Sequence, residues 1–330
     1  MIQLENITVK FNDFEALHNI SLEVKDGEFF TFLGPSGCGK STTLRTITGF
    51  IPLCNGRIIV NGNDITNTPI EQRNIGIVFQ SYALFPSMTV YENIAFGLEI
   101  RNLPKDEIKS KVLEIVKKVD LSEMHLSRAV TELSGGQQQR VAIARALVTS
   151  PSIICMDEPL SNLDAKLRIG LRNELKRMQR EIGITTIYVT HEQDEALTIS
   201  DRIAVFNKGN IEQIGTPNEI YNKSKTEFVC NFVGDINKLN ENLMDLMQLD
   251  KTKQHYVRLE RIQVNPANKD NLFILKGKVK SSEYYGFYIK YYIETPLQTI
   301  KVIEKNDGIN LYTNGSDVNI GISKEDIMSY

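Results

Sequence analysis

The first 33 residues alternate apolar and polar positions, which is the period of a β-strand with one buried face. The alternation runs through residues 2–11 and 17–24, and a Lys-Asp-Gly turn precedes an apolar run at 28–34. After a glycine-rich bend, residues 40–50 change to helical spacing, with a glycine near the end that suits a helix C-terminus. The pattern predicts strands, a glycine bend and a helix, in that order.

The middle of the chain alternates between helical and strand patterns. An amphipathic helix that begins with a proline is predicted over residues 104–119. Its apolar face is formed by Ile108, Val112, Ile115 and Val119. Short apolar runs at 152–159 and 185–191 flank a long helical pattern that ends in glycine. This alternation is typical of an α/β fold with a mainly parallel sheet.

The character of the sequence changes after about residue 235. Residues 236–255 are polar and are predicted to form a linker. From residue 256 onward, short tyrosine-rich strands follow one another with Gly and Asn-Gly turns, the last of them predicted at 309–323. The sequence therefore predicts an α/β domain at 1–235, the linker, and a small β-barrel at 256–330.

Composition narrows the function classes. The 330 residues carry a formal net charge of −3, whereas nucleic-acid binding usually needs a basic face. The four cysteines lie far apart without a Cys-x-x-Cys pair, which favours a reducing compartment over a metal knuckle. The N-terminus lacks a signal-peptide core, and no run of 18 apolar residues occurs. We expect a cytoplasmic protein, at most peripheral to a membrane, that does not bind nucleic acid.

Residues 34–41 read Gly-Pro-Ser-Gly-Cys-Gly-Lys-Ser and fit the phosphate-binding pattern G-x-x-x-x-G-K-[S/T] between a strand and a helix. Glycines allow backbone N–H groups to converge on phosphate oxygens, and the helix N-terminus adds its positive end. Lys40 can reach the β- and γ-phosphates, and the Ser41 hydroxyl can bind Mg²⁺. The alternative is a plain glycine-rich turn with a surface lysine, which the flanking strand and helix disfavour.

Two carboxylates follow the apolar strand Ile-Ile-Cys-Met, at Asp157 and Glu158. The carboxyl ends of strands are where α/β sheets place their ligands. One carboxylate can hold Mg²⁺ through water, and the next can polarise an attacking water. A solvated strand end is the alternative for this pair by itself, and the upstream glycine loop weakens that alternative.

The run Ser134-Gly135-Gly136 precedes another predicted helix and offers a second set of free N–H groups with a hydroxyl. A simple helix cap with a flexible hinge is the alternative. A second phosphate clamp has a purpose if two chains sandwich the nucleotide between them.

Taken together, these motifs resemble the ATPase subunit of an ABC transporter. The resemblance rests on the glycine loop, Leu-Ser-Gly-Gly-Gln at 133–137, the Asp-Glu strand end, Ser-Asn-Leu-Asp at 161–164, and His191 after Thr-Ile-Tyr-Val-Thr. It covers residues 1–235 and is closest to the importer branch. It implies a P-loop ATPase domain with a helical signature subdomain, and ATP and Mg²⁺ as ligands.

The resemblance also implies roles for individual residues. The residues implied to bind the nucleotide from their own chain are Phe11, Gly34, Ser36, Gly37, Cys38, Gly39, Lys40, Ser41 and Thr42. Those implied to hold Mg²⁺ are Ser41, Gln80 and Asp157. Those implied in catalysis are Glu158, His191 and Gln80. Those implied to act at the nucleotide of a partner subunit are Ser134, Gly135, Gly136, Gln137 and Asp164.

The implied partners are a second copy of the chain in a head-to-tail ATP sandwich, a transmembrane permease, and, indirectly, an extracytoplasmic solute-binding protein. Such a subunit works at the cytoplasmic face of the membrane. The tail resembles the short OB-like barrel of polyamine, ferric-iron and phosphonate importers, and the choice among these solutes stays open.

Other classes of ATPase share the same core motifs. A DNA-repair or translation ATPase would carry a coiled coil or a second ATPase cassette, and neither pattern occurs. A soluble ABC-type ATPase whose tail senses a solute remains an alternative. Cys38 lies beside a predicted helix N-terminus, a setting that predicts a lowered thiol pKa and a reactive side chain.

Overall fold

The computed structural model describes residues 1–308 and 311–330. It divides into two compact units, Met1–Lys225 and Thr226–Tyr330, a division that differs from the predicted boundary at residue 235. Among the described residues, no helix combines the length and the apolarity that crossing a bilayer requires.

The first unit contains the strands and helices that carry the predicted motifs. Its strands are β1 (Ile2–Phe11), β2 (Phe14–Val24), β3 (Phe29–Leu33), β4 (Asn55–Val60), β5 (Asn63–Asp64), β6 (Ile75–Val78), β7 (Ile153–Asp157), β8 (Thr185–Thr190), β9 (Arg202–Asn207) and β10 (Asn210–Gly215). Its helices are α1 (Lys40–Thr48), α2 (Val90–Ile100), α3 (Lys105–Lys118), α4 (Gly135–Leu147), α5 (Ala165–Ile182), α6 (Gln193–Ile199) and α7 (Pro217–Asn222).

The central sheet of this unit has the strand order β10-β9-β3-β8-β7-β6. All neighbouring strands from β9 to β6 run parallel, and β10 pairs with β9 antiparallel. The predicted mainly parallel α/β sheet is therefore confirmed. Because the parallel strands end at one edge, the residues that follow β3, β6, β7 and β8 meet there. A second, antiparallel sheet has the order β2-β1-β4-β5.

The central strands are apolar throughout because both faces of the sheet are covered. Every residue of β3, β7 and β8 is buried. Alternate positions face opposite sides, so Phe29 and Tyr188 lie in the core shared with helices α2 to α5, whereas Phe32 and Val189 lie in the core with α1. The apolar face predicted for α3 is buried in the first of these cores, which the helices of the expected helical subdomain share with the central sheet.

The second unit is built from short antiparallel strands. Its elements are α8 (Glu227–Phe232), β11 (Ile236–Lys238), α9 (Glu241–Leu246), β12 (His255–Arg258), β13 (Gln263–Val264), β14 (Leu272–Tyr284), β15 (Tyr288–Glu294), β16 (Thr299–Lys305), β17 (Asp317–Ser323) and β18 (Ile327–Ser329). They form sheets of order β11-β12-β18 and β13-β17-β14-β15-β16 around one apolar core, in line with the expected OB-like fold. Of the strand predicted at 309–323, residues 309 and 310 lie outside the described residues.

The segment 236–255, predicted as a linker, carries β11 and α9. Leu239, Leu243 and Met247 are buried in the core of the second unit. Asn240 caps α9, because its side-chain oxygen accepts a hydrogen bond from the Leu243 N–H at 3.0 Å. These apolar residues recur every fourth position, a helical spacing that the polar residues between them obscure in the sequence.

Candidate functional site

The glycine bend connects β3 to α1 at the carboxyl edge of the central sheet. Gly37 and Gly39 have φ angles of 77° and 104°, a region that residues with a side chain rarely adopt. At Gly34, an added Cβ would lie 2.4 Å from the backbone oxygen of Phe206. The loop therefore requires glycine for both its conformation and its close approach to the next strand, and it leads directly into the N-terminus of α1.

Lys40 is the first residue of α1, and its side chain folds back over the bend. Its Nζ donates hydrogen bonds to the carbonyl oxygens of Gly34 at 2.7 Å and Pro35 at 2.8 Å. The residue is only 4% exposed, yet it has no carboxylate partner among the described residues. A buried ammonium held by neutral carbonyls has positive charge to offer an anion at this loop.

Ser41 and Asp157 form the predicted magnesium-binding pair. The Ser41 hydroxyl donates to Asp157 Oδ1 at 2.6 Å, which joins the start of α1 to the end of β7. Arg45, one turn further along α1, lies 3.7 Å from Asp157 Oδ2 and was not predicted from the sequence. Oxygen donors of this kind suit Mg²⁺.

Among the described residues, no group of three or more His, Cys, Asp or Glu side chains could hold a metal ion. Mg²⁺ usually binds through one or two protein oxygens together with substrate phosphates and water. The residues present fit that manner of binding.

Glu158 is the point on which three strand ends converge. Its Oε2 lies 3.2 Å from His191 Nδ1, after β8, and 3.5 Å from Gln80 Nε2, after β6. Its φ of 48° is left-handed, a conformation that costs a non-glycine residue energy, and its N–H donates to the Val189 carbonyl at 3.0 Å. The strained turn directs the carboxylate out of β7 and toward the two neighbouring strand ends.

Two further residues hold Gln80 and were not predicted individually. Gln80 Nε2 lies 3.2 Å from the Ser161 hydroxyl, and Asn162 Nδ2 donates to the Gln80 carbonyl at 2.9 Å. Both belong to the Ser-Asn-Leu-Asp segment, and their polar side chains immediately after the strand turn are the signal that could have identified them. The segment therefore positions Gln80 beside Glu158.

Ser134 and Asp164 are helix caps at separate places in the first unit. The Ser134 hydroxyl accepts from the Gln137 N–H at 3.4 Å, and the Ser134 N–H donates to Gln137 Oε1 at 2.9 Å. Asp164 Oδ1 accepts from the Leu167 N–H at 3.0 Å. Gly135 and Gly136 form the first turn after Ser134. Within the part of the chain that the structure describes, no hydrogen bond or ion pair joins these caps to the glycine loop.

The remaining predicted nucleotide residues lie on the glycine loop, at the start of α1 and at the end of β1. Ser36 is exposed on the loop, and Thr42 is partly buried in the first turn of α1. Phe11 ends β1 and is 47% exposed, and its partner across the hairpin, Phe14, is 69% exposed. The hairpin thus presents two aromatic faces, of which the sequence analysis singled out one.

The expectation of a lowered pKa for the Cys38 thiol is wrong. Cys38 is buried, and removal from water raises its pKa despite the Lys40 ammonium, whose Nζ lies 3.8 Å from the sulfur. The nearby cation lowers the pKa less than burial raises it. All four cysteines, each within the described residues, are free thiols.

Two family models match the chain. Residues 17–161 match the ABC transporter family, and residues 256–328 match the TOBE domain family. The first match includes the glycine loop, Gln80, Ser134, Asp157 and Glu158, but ends before Asp164 and His191.

Similar curated proteins and solved structures cover most of the chain or its first unit. A spermidine/putrescine import ATP-binding protein, PotA, of Pasteurella multocida is 52% identical over 74% of this chain and 66% of its own length. PotA of Clostridium novyi is 45% identical over 87% of this chain and 86% of its own length.

Among solved structures, the dimeric ATP-binding cassette MJ0796 bound to ADP and Pi is 34% identical, with a TM-score of 0.59, over 66% of this chain and 99% of that one. CbiO1 of Clostridium perfringens, part of the ABC transporter complex cbiONQ, is 34% identical, with a TM-score of 0.62, over 66% of this chain and 89% of that one. The chain therefore belongs to the family of ATP-binding subunits of ABC importers.

Proposed function

We propose that this chain is the ATP-hydrolysing motor of an ABC importer that takes up polyamines such as spermidine or putrescine. The observation that carries the proposal is the convergence of Gln80, Glu158 and His191 at one carboxylate oxygen, beside the Ser41–Asp157 pair and the glycine loop. The names of the PotA relatives support the solute class, and they favour an importer over a soluble ATPase with a solute-sensing tail.

The glycine loop binds the phosphates of ATP. Backbone N–H groups of the loop and of the first turn of α1 point toward the anion, and Lys40 gives up its carbonyl contacts to pair with the β- and γ-phosphates. Ser36, Cys38, Gly39 and Thr42 contribute their backbone positions to this cradle. Phe11 stacks on the adenine, for which its exposed ring is suited.

Ser41, Asp157 and Gln80 would hold Mg²⁺, which would supply positive charge to neutralise the phosphates. Glu158 polarises the water that attacks the γ-phosphate, because its carboxylate accepts the proton that leaves the water. Gln80 orients that water through its amide. His191 contacts the γ-phosphate, and its Nδ1 holds the Glu158 carboxylate in place.

The second half of the site comes from another copy of the chain. Ser134, Gly135, Gly136 and Gln137 offer a capped helix start to the nucleotide of the partner, and Asp164 reports its state across the dimer. ATP favours the closed dimer because it binds that state more tightly, and hydrolysis removes the preference. Closure drives a transmembrane permease at the cytoplasmic face of the membrane, and an extracytoplasmic protein supplies the solute.

The solute assignment is tested by uptake in cells whose own copy of this gene is deleted and then restored. We expect spermidine or putrescine uptake to require the wild-type chain, and to fail with Lys40→Ala at equal protein level. Unchanged polyamine uptake, together with loss of ferric-iron or phosphonate uptake, would overturn the polyamine assignment but leave the motor assignment standing.

A further inference from the structure

Arg168 lies in the first turn of α5, one helical turn after Asp164, and none of the roles assigned above involves it. Its guanidinium donates from Nη1 to Glu192 Oε1 at 3.0 Å and from Nη2 to the Leu163 carbonyl at 3.1 Å. One side chain therefore connects the Ser-Asn-Leu-Asp segment with the segment that follows β8. Arginine suits this position because its fork of donors serves two acceptors at once.

The carboxylate that Arg168 holds lies next to the histidine of the site. Glu192 Oε1 is 3.7 Å from His191 Nε2, while His191 Nδ1 faces Glu158 at 3.2 Å. The histidine ring is thus placed between two carboxylates, and only one of them belongs to the catalytic strand end. Removing Arg168 would leave Glu192, which is about half-exposed, free to turn into solvent.

These contacts close a ring. From Leu163 it passes through Arg168, Glu192 and His191 to Glu158, and then through Gln80 to Asn162, next to Leu163 in the chain. A closed ring restrains each member from two sides, so the loss of one contact loosens its neighbours.

Arg168 also faces a buried carboxylate that anchors the base of the same turn. Glu195 is buried and accepts hydrogen bonds from the hydroxyls of Tyr188 at 2.9 Å and Thr190 at 2.7 Å. Its other oxygen lies 4.0 Å from Arg168 Nε. The Thr190 hydroxyl in turn accepts from the Glu192 N–H at 3.0 Å. The guanidinium therefore supplies positive charge at the point where the turn carrying His191 leaves β8.

We infer that Arg168 is a positioning residue that sets His191 and the 161–164 segment against Glu158, through Glu192 and the Leu163 carbonyl. The inference rests on the proposed function, since it concerns the geometry of the same hydrolytic site. Among the described residues, no hydrogen bond or ion pair joins Arg168 to the glycine loop or to Ser41. Its loss should therefore slow hydrolysis and leave the binding of ATP unchanged.

The test compares steady-state ATP hydrolysis by the full-length chain and its Arg168→Gln, Arg168→Lys and Glu192→Ala variants. We expect Arg168→Gln to lower kcat about 10- to 100-fold with KM for ATP within about threefold of wild type, as for residues that orient a reacting group. Arg168→Lys keeps the positive charge but loses the forked pair of donors, so its kcat should lie between those of the wild type and Arg168→Gln. Arg177 is an exposed arginine on the same helix as Arg168 and pairs with Asp120, so Arg177→Gln is the matched control and should match wild type.

Coupling distinguishes positioning from a general structural role. The Arg168→Gln/Glu192→Ala double variant should hydrolyse ATP no more slowly than Arg168→Gln, because each change breaks the same contact, the one between Arg168 and Glu192. The inference would be overturned if the fold-loss of kcat in the double variant equalled the product of the two single fold-losses. It would also be overturned if Arg168→Gln raised KM for ATP and left kcat unchanged. If Arg168→Gln shows no cooperative thermal transition, Arg168→Lys with Glu192→Ala provides the same comparison. A wild-type chain that does not hydrolyse ATP would instead overturn the proposed function itself.

Discussion

The two halves of the proposed site differ in how far one chain can complete them. Around Glu158, one side chain from each of the two neighbouring strand ends, His191 and Gln80, lies 3.2 or 3.5 Å from a carboxylate oxygen of Glu158. Ser134 and Asp164, in contrast, each bond to the first turn of their own helix. The first half is assembled within the chain. The second half presents helix starts that, among the described residues, no hydrogen bond or ion pair joins to the glycine loop.

The difference follows from where each half lies in the fold. Parallel strands that are neighbours in a sheet must bring their carboxyl ends together, so Gln80, Glu158 and His191 meet without help from another subunit. Ser134 opens α4, a helix of the helical subdomain, whose apolar core is shared with the central sheet. The proposed function therefore assigns the missing half to a second copy of the chain, and the MJ0796 cassette is a dimer in its solved structures.

The largest expected effect comes from removing the positive charge of Lys40, in the half of the site that one chain assembles. Lys40→Ala should weaken ATP binding about 100-fold, since charge-assisted hydrogen bonds contribute up to about 3 kcal/mol. Isothermal titration of the full-length chain measures this loss. Lys111→Ala, which breaks an exposed ion pair with Glu107, is the control and should bind normally. Equal affinities for the two variants would remove Lys40 from the phosphate site.

A bulky charged side chain at Ser134, in the half supplied to the partner, should weaken dimerisation and leave ATP binding by the monomer unchanged. Ser134→Arg is expected to weaken ATP-dependent dimerisation by about 2 kcal/mol, or roughly 30-fold, as for a central interface residue, with monomer ATP affinity within about twofold of wild type. Ser134→Ala removes the helix cap without adding bulk, so it separates the cost of capping, about 1 kcal/mol, from obstruction of the interface.

Mixing variants sharpens the same prediction. A dimer of one Ser134→Arg chain and one Lys40→Ala chain retains one site with an intact glycine loop and an intact facing helix start. The mixture should therefore hydrolyse ATP faster than either variant alone. A mixture no more active than its components would contradict the head-to-tail arrangement.

The smallest expected effect concerns the Cys38 thiol within the in-chain half. Because burial raises its pKa, Cys38 should react with iodoacetamide at pH 7.5 at least about threefold more slowly than the exposed Cys54. Mg-ATP should slow the labelling of Cys38 and leave that of Cys54 unchanged, as measured by peptide mass spectrometry. Faster labelling of Cys38 than of Cys54 would show that the loop opens to solvent.

Much of this comparison was accessible from the sequence, because motifs with fixed chemistry stand at fixed places between strands and helices. The glycine loop and the Asp157–Glu158 strand end were identified in this way. The grouping of Gln80 with Glu158 came only from the family resemblance, since their contact depends on β6 pairing with β7, and local patterns do not reveal strand order.

Burial explains where the sequence analysis failed. The pKa of Cys38 depends on how the loop packs against the rest of the first unit, which no neighbouring residue in the sequence reveals. Leu243 is buried in the second unit although its segment is polar overall, because three well-placed apolar residues are enough to fix a short helix. Arg168 resembles any other charged residue on an amphipathic helix until β8 and α5 are placed side by side.

The central claim, that Glu158 drives hydrolysis in a site shared by two chains, is tested most directly by Glu158→Gln in size-exclusion chromatography with and without ATP. A positioned base contributes about 10²–10⁴-fold to rate, so hydrolysis should fall at least about 100-fold while Lys40 and the glycine loop still bind ATP. ATP should then convert this variant from monomer to a stable dimer, and the additional change Ser134→Arg should abolish the dimer. A Glu158→Gln chain that binds ATP, hydrolyses it at the wild-type rate and stays monomeric would contradict the account.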